Sequence, residues 1–236
     1  RLFAERDFVA VIGPSGSGKS SLVSAGLLPR VCAGAVPGGQ EWVWVRLTPG
    51  EVGANPFMAV ATSFKSHLAS VEDYVPHFQA SELERDHGAL DQLVSTLLDG
   101  KPDLAKLILF VDQFEELFTV VDEKYRAGFV DLIVRASKTE RLRTVITIRA
   151  DLTHYCWKWA GLVDLLNAGQ YNVGSPGIGA LHEMITRPAG RAGLQFERDD
   201  LVQRILDQTG TGSGALPLMA FALSELWKAR TADGRL

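Results

Sequence analysis

The stretch FVAVIGPSGSGKSSLV, residues 8–23, decides the fold. Its five apolar residues, 8–12, read as a buried strand. They run into Gly13-Pro14-Ser15-Gly16-Ser17-Gly18-Lys19-Ser20, a complete G-x4-G-K-S. In such a loop the glycines let the backbone curl so that successive N–H groups point inward at phosphate oxygens. Lys19 then reaches the β and γ phosphates, and the Ser20 hydroxyl can ligate Mg²⁺. Ser21 opens a helix expected over residues 21–28, whose positive N-terminal end faces the phosphates. At average residue frequencies a chance match in a chain of this length has odds of roughly one in a hundred. This match also has the required strand before it and helix after it, so the loop is read as a nucleotide phosphate cradle.

KLILFVDQFEELF, residues 106–118, supplies an acidic partner. An apolar strand ends at Asp112, where a carboxylate can hold the Mg²⁺ shell through water. Glu115 and Glu116 follow three and four residues on, and either could orient or deprotonate an attacking water. Both also suit the negatively charged first turn of a helix. Rapid ATPases often place a glutamate directly after this aspartate. Here that neighbour is Gln113, which argues for slow hydrolysis. RTVITIRAD, residues 143–151, forms the next strand. Arg149 at its end could recognise a terminal phosphate bidentately and so distinguish a triphosphate from a diphosphate, with Thr147 two positions earlier. The structural alternative for Arg149 is an ion pair with Asp151 or Glu115.

Strands are expected at residues 8–12, 42–47, 107–111, 143–148 and, weakly, 170–173, separated by stretches of helical length. Trp42 and Trp44 would share one face of the second strand, both partly in the core. Two or three helices fit between residues 55 and 98. The pattern implies an α/β fold with a parallel five-stranded sheet, order 5-1-4-3-2, covered by helices on both faces. After residue 174 the strand signals stop. GSPGIG, residues 174–179, reads as a hinge, and three helices are expected near 180–191 (interrupted or ended around Pro188), 199–208 and 216–230. The division is a nucleotide-binding domain over 1–174 and a small helical domain over 175–236.

GPSGSGKSSLVSAGLLP (13–29), LFVDQFEELF (109–118), TIRADL (147–152) and GALPLMAFALSELW (214–227) together resemble the STAND signalling ATPases. The resemblance is to the bacterial branch with the DQFEE signature, the novel STAND NTPase 1 type, often fused to WD40 or other repeats. It implies an AAA-like P-loop domain that holds ADP at rest and exchanges it for ATP when a sensor region meets its trigger. Self-association then brings effector domains together. Residue by residue, Lys19 and Ser20 match the Walker A pair and Asp112 the Walker B aspartate. Glu115 and Glu116 match the acidic positions that extend it, and Arg149 the sensor arginine. Pro217 resembles the proline that packs against adenine, although this chain reads Gly214-Ala-Leu-Pro217 where relatives often read Gly-x-Pro. Helix-start proline is the alternative. Relatives also carry a segment before the phosphate loop and a winged-helix domain after the helical one. A chain that opens at Arg1 is accordingly read as a piece of a longer protein.

Composition agrees with a globular domain: 46% hydrophobic and 22% charged residues over 236 positions. A net charge of -4 gives no global basic field for nucleic acid or an anionic membrane, and no apolar run approaches a membrane span. Two cysteines, Cys32 and Cys156, make no metal motif or disulfide framework, so a reducing cytoplasmic setting is expected. The leading reading is an ATP/ADP-controlled switch with slow hydrolysis. The alternative is an AAA-type remodeller or loader acting on nucleic acid or protein. The absence of an N-K-x-D sequence and of an LSGGQ-like stretch turns the reading away from guanine-specific and transporter ATPases. Tyr155, Trp157 and Trp159 are read as packing residues rather than base-stacking ones.

Overall fold

The computed structural model describes residues 2–68, 75–198, 200–212, 214–231 and 234–235. Asp199, the expected start of one C-terminal helix, lies outside the described residues. The chain divides into two compact units: residues 1–12 with 19–172, and residues 13–18 with 173–236.

The first unit is built on a five-stranded parallel sheet of β1 (Phe8–Gly13), β2 (Val43–Leu47), β3 (Leu107–Val111), β4 (Leu142–Arg149) and β5 (Gln170–Asn172), in the order β2-β3-β4-β1-β5. This is the expected order read from the other edge. Its last strand, weak in the sequence, pairs in parallel with β1 as Ala10↔Gln170, Val11↔Tyr171 and Ile12↔Asn172. Strand alternation sorts the residues between two covered faces. Phe8, Ala10, Ile12, Leu107, Leu109, Val111, Ile146 and Ile148 join one core with residues of α4 (Pro56–Lys65), α6 (Ala89–Leu97) and α8 (Glu123–Ala136). Val9, Val11, Ile108, Phe110 and Val145, of the opposite parity, are buried as well. Burial on both sides explains why these strands read as continuous apolar runs.

Among the described residues of 55–98 there are three helices, α4, α5 (Pro76–Arg85) and α6, after the short α1 (Leu2–Glu5), α2 (Lys19–Ser21) and α3 (Leu28–Arg30). Asn55 caps α4 by accepting from the Phe57 N–H at 3.0 Å, with Pro56 at its first position. The helix expected after the phosphate loop widens into π-type turns over Leu22–Leu27 and again over Val31–Ala35. Trp44 departs from expectation. Trp42 is 8% exposed, with its indole N–H donating to the Leu104 carbonyl, but Trp44 is 43% exposed. β2 is an edge strand, so Trp44 has sheet neighbours on one side alone.

In the second unit α10 (Ile178–Arg191), α11 (Leu201–Thr209) and α12 (Ala215–Ala229) pack around Leu181, Ile185, Val202, Ile205, Leu206 and Met219. Helix α10 runs on through Pro188 to Arg191 instead of breaking there. Near the helix end the proline forfeits one backbone hydrogen bond while its fixed φ remains helical. Among the described residues no helix is long and apolar enough to cross a membrane.

Candidate functional site

The centre of the first unit is the carboxylate of Asp112, directly after β3 and fully buried. Its Oδ1 accepts from the Ser20 hydroxyl at 2.7 Å, the Thr147 hydroxyl at 2.5 Å and the Gln113 N–H at 3.1 Å. Its Oδ2 accepts from Nη2 of Arg46 at 2.7 Å. The sheet makes this possible: β2, β3 and β4 run parallel in register, as Arg46↔Phe110 and Phe110↔Val145. Their C-terminal ends therefore deliver Arg46, Asp112 and Thr147 to one place. Ser20 comes from the helix that follows the loop.

Gln113 has φ of 51°, the one described non-glycine residue at positive φ. That left-handed step costs about 1–2 kcal/mol. It folds the chain so that the Gln113 N–H reaches both Asp112 and the Thr147 hydroxyl, the latter at 2.9 Å. The next residues then turn back over the strand ends, with the Phe114 N–H donating to the Thr147 carbonyl at 2.8 Å.

This turn gives different partners to the two glutamates, between which the sequence left the catalytic role open. Glu115 accepts from the Arg149 backbone N–H at 3.3 Å. Burial raises its pKa, partly offset by backbone hydrogen bonds and by Lys19 and Arg149. Glu116 points elsewhere and accepts from the Gly50 N–H at 3.1 Å, tying down the loop after β2. It also opens α7 (Glu116–Thr119).

Lys19 is 8% exposed. Burial lowers its pKa; Glu115, Asp112 and Asp151 act in the opposite direction, and Arg149 adds to the lowering. An ammonium held among carboxylates in a desolvated pocket suits a phosphate-binding lysine. The Arg149 guanidinium makes a bidentate pair with Asp151, Nε to Oδ1 at 3.1 Å and Nη2 to Oδ2 at 2.7 Å. The structural alternative for Arg149 is thus realised, with the side chain 40% exposed.

The glycine loop, residues 13–18, belongs to the second unit. Gly16 and Gly18 have φ of 71° and 84°. The Ser17 N–H returns to the Pro14 carbonyl at 3.3 Å. The Ser17 hydroxyl is buried without a protein partner among the described residues. At the start of α12, Leu216 and Pro217 pack on the loop. A Cβ at Gly16 would lie 3.0 Å from Pro217 Cγ, and one at Gly18 3.3 Å from Leu216 Cδ1. Gly16→Ala is therefore expected to lower the urea-unfolding free energy by about 1–2 kcal/mol, combining left-handed strain with this clash. An unchanged midpoint would show that the loop yields without cost.

Two observations fit the residues to a nucleotide and a divalent cation. An orphaned, buried Ser17 hydroxyl sits within a glycine cradle. The Ser20 and Asp112 oxygens, hard donors of the kind Mg²⁺ takes, are already in contact.

Arg46 escaped the sequence reading. A signal was present: a lone arginine in the apolar strand VWVRL, at the same strand end as Asp112. The aromatic cluster is packing, as expected for Tyr155 and Trp159, whose rings stack on Phe118 at 5.4 and 5.8 Å. Trp157 instead is 70% exposed. Cys156 is buried, which pushes its thiol up to about 12.

Several solved structures share this fold. The Aeropyrum pernix ORC2 protein, solved in ADPNP–ADP complexes, aligns over 98% of this chain and 58% of its own, at 14% identity and a TM-score of 0.60. For the Walker-type ATPase of Pyrococcus abyssi the figures are 95%, 64%, 13% and 0.59. Drosophila ORC, solved bound to DNA, gives 97%, 52%, 16% and 0.60. This chain thus spans about half to two thirds of the length of the structures it matches. No curated protein matches it by sequence. The novel STAND NTPase 1 family matches residues 1–236, the whole chain. With a five-stranded parallel sheet in P-loop order beneath that match, the chain belongs to the novel STAND NTPase 1 family and is a P-loop NTPase.

Proposed function

We propose that this chain is an ATP/ADP-binding switch with slow ATP hydrolysis, residues 13–21 cradling the phosphates. The observation that carries the reading is the Ser20–Asp112 contact of 2.7 Å within a chain whose preceding residues spell G-x4-G-K. Bound there, Mg²⁺ would neutralise phosphate charge, held by Ser20 and, through water, by Asp112. Lys19 binds the β and γ phosphates. Glu115, desolvated and facing Lys19, is the carboxylate best disposed to take a proton from water. Glu116, occupied by Gly50, serves the loop instead.

The same geometry supports slow turnover. The position after Asp112 is a glutamine whose left-handed backbone serves the Asp112 network, and Glu115 is already engaged by the Arg149 N–H. A γ-phosphate offers Arg149 an alternative to Asp151, and ADP does not. This differential contact is what a population shift between two states requires. Pro217, packed on Gly16 in the second unit, brings the start of α12 to the phosphate loop. On this reading the nucleotide controls self-association through the 1–174 and 175–236 domains, in the cytoplasm, with sensor and effector parts elsewhere in a longer chain.

Arg149→Ala should narrow the ratio of ADP to ATP dissociation constants by about tenfold, the worth of one charge-assisted contact. Isothermal titration with each nucleotide and Mg²⁺ reads this directly. Unchanged affinities for both would leave Arg149 to Asp151 alone. The switch itself is tested by denaturing the purified protein and identifying released nucleotide by ion-exchange chromatography. Stoichiometric ADP is expected. An empty site with rapid turnover would favour a remodelling ATPase.

A further inference from the structure

We propose that Arg46 is an intramolecular counter-cation for Asp112 that has to leave before Mg²⁺ can draw on that carboxylate, so that Arg46 sets the Mg²⁺ concentration at which the site accepts nucleotide. The inference rests on the nucleotide reading above and deepens it.

Asp112 is fully buried, and an ionised carboxylate with no cation beside it would cost several kcal/mol there. Its Oδ1 is filled by two hydroxyls and a backbone N–H. Arg46 covers Oδ2 at 2.7 Å. The pair is lopsided: the carboxylate has no exposure, whereas the Arg46 side chain is 49% exposed. One end of the guanidinium completes the buried site while the remainder is in water, so its departure needs no opening of the core. The ring of Phe110 lies 5.9 Å from the guanidinium carbon and helps hold it over Asp112.

Two cations cannot share one buried negative charge cheaply, and Lys19 already places a third nearby. The Ser20 hydroxyl that would ligate Mg²⁺ donates to the same carboxylate. Arg46 also has somewhere to go. Glu51, in the loop after β2, has its pKa raised by burial; a backbone hydrogen bond with Thr48 and the charge of Arg46 lower it and Glu116 raises it, so Glu51 already feels the Arg46 charge. Glu116 in turn holds Gly50 of that loop. Movement of Arg46 from Asp112 toward Glu51 would carry the Mg²⁺ state to the edge of the sheet.

The test is a Mg²⁺ titration of the whole chain at fixed, subsaturating mant-ATP, followed by fluorescence, for the wild type, Arg46→Gln and Arg46→Lys. Arg46→Gln is expected to lower the half-saturating Mg²⁺ about tenfold. Arg46→Lys, which keeps the charge, should stay near the wild type. In EDTA, Arg46→Gln should melt at a lower temperature than the wild type, and Mg²⁺ with ADP should close the gap. The same or a higher half-saturating Mg²⁺ in Arg46→Gln would overturn the proposal, as would an equal drop in Arg46→Lys. If Arg46→Gln does not fold, the wild type decides through the ¹⁵Nε resonance of Arg46. That resonance should shift on adding ADP with Mg²⁺ but not ADP with EDTA; identical spectra would overturn the proposal. Failure of the wild type to bind mant-ATP at any Mg²⁺ concentration is a different result, which would overturn the nucleotide reading and this proposal with it.

Discussion

Lys19→Ala is expected to weaken ATP binding by on the order of 100-fold, the worth of a charge-assisted contact in a desolvated setting, while the fold survives. The lysine is 8% exposed, and burial already works against its charge. It is retained as a cation in a place where an apolar residue would be cheaper for the fold. Truncation relieves that desolvation, and Asp112 keeps Arg46 and Glu115 keeps Arg149 as neighbouring positive charges, so thermal stability should change little. Calorimetric titration with ATP and Mg²⁺ measures the binding loss, and circular dichroism checks the fold. Wild-type affinity in the variant would remove the phosphate role of the loop.

The second large effect concerns hydrolysis. Glu115→Gln should cut single-turnover ATP hydrolysis by about 100-fold or more, the usual contribution of a positioned general base, with ATP affinity kept within a few-fold. Glutamine still accepts from the Arg149 N–H, so the turn after Asp112 should persist. Glu116→Gln should leave the chemical step nearly intact, because Glu116 is committed to Gly50. Equal losses in the two variants would assign both glutamates to structure. The pH profile follows from the shift. Burial raises the Glu115 pKa above the ordinary 4.5, so the base is lost by protonation as pH falls, with a midpoint above that value. A wild-type profile flat down to pH 4.5 would place the base elsewhere.

The parallel sheet was legible because its strands carry their own signature. Residues 107–111 are apolar throughout since both faces are covered, and no amphipathic helix reads that way. Strand β5 was faint because QYN is exposed at an edge, with nothing apolar to announce it. Trp44 misled because alternation gives the face of a strand but not whether the strand stands at the edge. In the candidate site, residues close in sequence were readable as motifs. Arg46 was not, because its role arises across 66 residues, from register between β2 and β3. The choice between Glu115 and Glu116 stayed open in the sequence, and their different partners appear only in the turn that the positive φ of Gln113 begins. Positive φ at a glutamine leaves no mark in the sequence.

The loop Gly13–Gly18 groups with residues 173–236 rather than with the strand and helix it joins. A protein engineer seeking the smallest working piece would cut at 172 and keep the sheet, Lys19, Asp112 and Arg149. That cut discards Leu216 and Pro217, the side chains against which Gly18 and Gly16 rest. The chain passes from one unit to the other three times, after residues 12, 18 and 172. Grafting the helical part onto another ATPase would therefore have to carry six residues of loop with it.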